Sequence, residues 1–86
     1  MTSPEYDIII FGATSFVGQI LTGYMMDKYG NYADIKWAIA GRSDGKLKEV
    51  KNKYHCENIP HFIADASNEQ QLAEIAQKTK VIVSTV

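Results

Sequence analysis

The chain has 86 residues, nine Lys plus Arg against ten Asp plus Glu for a formal charge of -1, and a 45% hydrophobic share, which bounds it to one small domain at most and argues against a disordered chain. With a sequence pI near 6.0 it offers no electrostatic footprint for nucleic acid or anionic lipid. Its longest strongly apolar run, Ile8 to Phe11, is too short to span a bilayer, and Met1-Thr2-Ser3-Pro4 lacks the basic-then-apolar order of a secretory signal.

The run Asp7-Ile8-Ile9-Ile10-Phe11-Gly12 is continuously β-branched and aromatic, the pattern of a central parallel strand covered on both faces. From Phe16 to Tyr29 the residues Phe16, Val17, Ile20, Leu21, Tyr24 and Met25 recur at helical spacing and predict the packed face of a first helix, with Gly30 as its stop. Lys36 to Gly41 predicts a second strand. Asp44 to about Tyr54 predicts a second helix on the stripe Leu47, Val50 and Tyr54. Pro60 opens a third strand, His61 to Ala64. Ser67 with Gln70 matches a capping box, predicting a third helix from Asn68 to about Thr79 that faces inward through Leu72, Ile75 and Ala76. Lys80 then leads into a fourth strand, Val81 to Val86.

This β-α-β-α-β-α-β order with short connections implies an α/β, doubly wound parallel sheet with strand order 3-2-1-4, a partial Rossmann fold. Two βαβαβ halves make the full fold, so the chain reads as the first half plus the opening strand of the second. An unpaired apolar edge on the fourth strand invites pairing with another chain, including a homodimer.

Gly12-Ala13-Thr14-Ser15-Phe16-Val17-Gly18 lies between a predicted strand and a predicted helix, the context that gives a glycine pattern meaning. Gly12 permits the turn, Gly18 permits close helix-to-sheet packing, and the amides between them form a site for a pyrophosphate. Ser15 stands where a GxxGxxG pattern has its middle glycine. Its hydroxyl reads as a helix N-cap or as a phosphate donor, and the two are compatible. Gly23, mid-helix, reads as close packing.

No Asp or Glu closes the second strand, where a ribose with free hydroxyls is usually held. The strand runs instead into Gly41-Arg42-Ser43-Asp44-Gly45-Lys46. A guanidinium grips phosphate in a bidentate way, so Arg42, Ser43 and Lys46 favour NADP over NAD; the alternative is a solvated basic loop. Asp44 counts against the NADP reading, because its carboxylate can cap the helix or accept from a ribose. Asp65 reads either as a turn residue or as an acceptor for the adenine amino group. Ser84 and Thr85 end the fourth strand on the ligand side, where loops meet a dinucleotide, or are simply polar strand residues. His55, Cys56 and His61 have no metal-ligand spacing, so no metal site is expected, and Cys56 lacks an identifiable base. A lone cysteine also excludes an internal disulfide and fits a cytoplasmic setting.

Residues Asp7 to Gly18, then Trp37-Ala38-Ile39-Ala40-Gly41-Arg42-Ser43 with Lys46-Leu47, then Ala64-Asp65, together resemble the N-terminal segment of saccharopine dehydrogenase-like oxidoreductases, including the trans-acting enoyl reductases. The resemblance covers essentially the whole chain, and the Trp-Ala-Ile-Ala-Gly-Arg-Ser block is its more specific part. It implies that Gly12, Thr14, Ser15 and Gly18 meet the cofactor pyrophosphate, Arg42 and Ser43 the adenosine ribose, and Asp65 the adenine. Phe16, Val17, Lys46 and Thr85 complete the expected cofactor-binding set. Members usually continue into a large substrate domain, so residues 1-86 are expected to hold the ADP-ribose side of NADP(H) for hydride transfer by a longer enzyme. The alternative is a non-catalytic nucleotide-sensing or assembly module on the same fold.

Overall fold

A computed structural model describes residues 5–29, 35–65 and 67–84. The elements follow the order β1 (Tyr6–Phe11), α1 (Phe16–Tyr29), β2 (Trp37–Gly41), α2 (Asp44–Lys53), β3 (His61–Ile63), α3 (Glu69–Lys78) and β4 (Thr79–Ser84). The four strands are all parallel in the order β3-β2-β1-β4. This is the α/β, partial Rossmann-like arrangement that the alternation of short apolar runs and helical stripes requires.

Every residue of β2 is buried. The pleat sends Trp37 and Ile39 to one face with Ile10, Leu47, Met25 and Ile59, while Ala38 and Ala40 join Ile9, Phe11, Ala64 and Ile75 on the other. Helices α1 and α2 cover the first face and α3 the second. The second face accepts small alanines on β2 because bulky residues fill it from elsewhere: Tyr6 and Phe62 meet edge-on with centroids 5.6 Å apart.

Four expectations are corrected. On α1 the buried residues are Gly18, Thr22 and Met25, with Leu21 packed beside them, whereas Phe16, Val17, Ile20 and Tyr24 are exposed. Apolar residues go almost all the way round this helix, so spacing could not say which side met the sheet; Gly18 and Gly23 settle it, because they allow the closest approach. Gly23 lies under the Tyr54 ring, where a Cβ would stand 2.8 Å from Cε1, in line with its reading as a packing residue. For α3, Asn68 rather than Ser67 is the N-cap, its Oδ1 accepting from the Gln71 amide at 3.1 Å, because Ser67 is committed to Asp65. Ala76 is exposed and Ile75 carries the inward contact. The helix ends at Lys78 and β4 begins at once with Thr79, two residues before the predicted strand.

Helix α2 ends in a Schellman turn. Cys56 N donates to Lys51 O at 2.8 Å and His55 N to Asn52 O at 3.3 Å, with His55 in the left-handed region at φ 57°. The turn folds Cys56 and Ile59 back into the core, both fully buried.

Candidate functional site

The glycine loop begins where β1 ends, at the point where the chain's crossovers change direction, between β1 and β4. Gly12 has φ 84°, which glycine alone adopts without strain, and this turns the chain out of the sheet. Its amide and that of Ala13 both donate to Ala40 O, at 2.9 and 3.1 Å, so the loop is pinned to the end of β2.

Ser15 closes the loop. Its hydroxyl donates to Gly12 O at 2.7 Å and accepts from Gly18 N at 3.0 Å, while its carbonyl accepts from Gln19 N at 2.9 Å. Ser15 is therefore the N-cap of α1, one of its two readings from sequence. With Gly18 and Gln19 satisfied, the amides of Thr14, Phe16 and Val17 donate to no acceptor among the described residues. Three N–H groups at the positive end of a helix dipole suit an anion. The side chains of Phe16 and Val17 are exposed, so their part in the loop is played by the backbone.

A hollow of about 360 Å³ brings Gly12, Thr14 and Ser15 together with Arg42 and Asp65 at the carboxyl ends of β1, β2 and β3. Asp65 performs its turn role: Oδ1 accepts from both the amide and the hydroxyl of Ser67 at 2.9 Å, and these bonds, amide first, hold its carboxyl below the usual range, with the Arg42 charge assisting. Its own amide donates to Gln71 Oε1 at 2.9 Å.

Ser43 caps α2, its Oγ accepting from the Lys46 amide at 3.4 Å. Lys46 does not join Arg42. The helix turns it toward α1, onto a second hollow of about 400 Å³ shared with Thr14, Gln19, Glu49 and Lys53. There Lys53 Nζ donates to Gln19 Oε1 at 3.3 Å and Gln19 Nε2 to Thr14 O at 3.0 Å. Ser84 ends β4 in register with Phe11, and Thr85 lies outside the described residues.

Sequence reasoning missed the surroundings of Asp44. Its Oδ1 is 2.7 Å from His61 Nε2 and its Oδ2 3.1 Å from Lys48 Nζ, and these two bonds, His61 first, hold the carboxyl below its ordinary value. His61 Nδ1 is 3.0 Å from Lys51 Nζ. The i, i+4 spacing of Asp44 and Lys48 was visible in the sequence; the approach of His61 needs the β2–β3 register, which pairs it with Ile39. Burial raises the Cys56 thiol, which suits a packing role. Among the described residues no helix is long and apolar enough to cross a membrane.

No family model matches the chain. It is 38% identical over 84 residues to a trans-acting enoyl reductase of Mycobacterium ulcerans and 36% identical over 84 residues to a trans-acting enoyl reductase of Mycobacterium tuberculosis, covering 95% of this chain and 19% of each relative. It is also 30% identical over 88 residues to a lipid droplet localized protein of Caenorhabditis elegans, covering 95% of this chain and 20% of that protein. The chain thus spans about a fifth of the length of these relatives. Nearly all of the described elements, including the glycine loop and the turn after β2, fall within the aligned stretch.

Proposed function

We propose that residues 1-86 are the N-terminal part of a dinucleotide-binding domain that holds the ADP-ribose side of NADP(H) for a longer, saccharopine dehydrogenase-like oxidoreductase of the enoyl reductase kind. The observation that carries this reading is the hollow at the strand ends, which brings Gly12, Thr14 and Ser15 of the glycine loop together with Arg42 and Asp65. The residues present fit the group. Gly12 and Gly18 let backbone approach a pyrophosphate, and the Thr14, Phe16 and Val17 amides would bind it. Arg42 and Ser43 would receive the ribose 2′-phosphate, Lys46 contributing charge from the neighbouring hollow, and Asp65 would border the adenine. When bound, the nicotinamide cofactor supplies the hydride; this chain's residues bind and orient its adenosine half.

NADP is favoured over NAD because an arginine follows β2 and the nearby Asp44 carboxylate is occupied on both oxygens. The names of the similar mycobacterial proteins support an enoyl substrate for the longer protein.

The test is an NMR titration of the labelled chain with 2′,5′-ADP and with 5′-ADP, following the amides of Gly12 to Gly18 and those around Arg42. Shifts in both loops, stronger for the 2′-phosphorylated ligand, are expected. No response to either ligand at millimolar concentration would overturn the reading.

A further inference from the structure

We propose that His61 is a positioning residue for nucleotide selectivity: with Lys48 it holds the Asp44 carboxylate off the turn after β2, leaving Arg42 open to a ribose 2′-phosphate. This rests on the dinucleotide reading above and extends it to a residue on a different strand.

Asp44 is the first residue of α2, two positions beyond Arg42. A carboxylate at this turn is the feature that accepts from ribose hydroxyls and repels a 2′-phosphate. Here both of its oxygens are taken, by His61 Nε2 at 2.7 Å and Lys48 Nζ at 3.1 Å, and Arg42 makes no ion pair or hydrogen bond among the described residues. The direction of the His61 bond follows from its other nitrogen. Lys51 Nζ has only hydrogens to give, so at 3.0 Å it donates to Nδ1, which leaves the ring proton on Nε2 to be donated to Asp44. The imidazole is itself held, its side chain only 16% exposed and its strand in register with Ile39. Lys51, His61, Asp44 and Lys48 form one chain of donors and acceptors that fixes the carboxylate from β3 and from the next turn of α2. Released from His61, the carboxylate would either pair with Arg42 or stand as a like charge beside the phosphate. Either outcome weakens 2′-phosphate binding and spares a ligand that lacks it.

The experiment measures affinities of the 86-residue chain for 2′,5′-ADP and 5′-ADP by calorimetry, alongside the Arg42 side-chain Nε–H resonance without ligand. His61→Ala is expected to weaken 2′,5′-ADP about fivefold with little change for 5′-ADP, and to move the Arg42 resonance. Asp44→Asn in that background restores both, and His61→Gln, which keeps an N–H donor, retains most of the wild-type selectivity. Asp44→Asn alone, at an exposed position, leaves selectivity for 2′,5′-ADP intact or raised. The proposal is overturned if His61→Ala leaves the Arg42 resonance unmoved, or if Asp44→Asn fails to reverse its effects. If the wild-type chain binds neither nucleotide while Arg42 still responds to His61→Ala and reverts with Asp44→Asn, the hold on Asp44 stands and the dinucleotide reading falls.

Discussion

Gly18 packs so tightly on the Gly12 turn that a Cβ at Gly18 would collide with the Gly12 carbonyl oxygen and stand 2.7 Å from the Ala13 Cα. All of the opposing atoms are backbone and cannot rotate away. Gly18→Ala is therefore expected to cost about 1–3 kcal/mol and to lever the start of α1 off the loop. A urea melt and the amide shifts of Thr14 to Val17 check it; unchanged stability with unchanged shifts would contradict the packing.

Ser15 separates the two tasks of this loop. Its hydroxyl is bonded to Gly12 O and Gly18 N, so Ser15→Ala should cost about 1 kcal/mol and Ser15→Gly only a few tenths. Binding of 2′,5′-ADP by Ser15→Gly should match the wild type, since the hydroxyl is already bonded within the loop to Gly12 O and Gly18 N. A loss of affinity greater than the loss of stability would instead give the hydroxyl a direct contact.

His55 sits at φ 57° in the Schellman turn, where a side chain is strained and glycine is not. His55→Gly is expected to stabilise the chain by about 0.5–1 kcal/mol, read from the denaturation midpoint at constant slope. A lower midpoint would mean that the imidazole contributes more than the strain removes.

Asp7 ties the starts of three strands, its Oδ2 accepting from the Lys36 amide at 3.0 Å and its Oδ1 lying 3.2 Å from Lys80 Nζ. The Lys36 amide first, and then Lys80, hold its carboxyl below the ordinary 3.8. A carboxyl lowered on folding adds stability that is fully present above the unfolded value and is lost as pH falls through the folded one. Asp44 and Asp65 have the same sign. Acid unfolding should thus steepen below about pH 4, and Asp7→Asn should lower stability at neutral pH while flattening that acid limb. Parallel limbs for the two proteins would remove Asp7 from the linkage.

The strand order and the glycine loop were legible because each rests on local chemistry: a β-branched run, a glycine that must turn, a small residue that must let a helix approach. What was not legible depends on pairing between distant segments. The inward side of α1 was obscured by apolar residues on every side. Asn68 displaced Ser67 as cap because Asp65 had already claimed the serine, a competition that the pattern Ser67 with Gln70 does not reveal. The separation of Lys46 from Arg42 follows from where the first turn of α2 points, and the contact of His61 with Asp44 from the register of β3. Both require the sheet to be assembled first.

The junction at Lys78 and Thr79 has no slack. Helix hands directly to strand, whereas the residues from Tyr54 to Pro60 lie between α2 and β3. One residue inserted at the junction would have to unwind the end of α3 or advance β4 by one step, exchanging the faces of Ile82 and its neighbours Val81 and Val83 and carrying Ser84 out of register with Phe11. Length at this point is a structural quantity in its own right, and a chain that keeps this sheet must count its residues here.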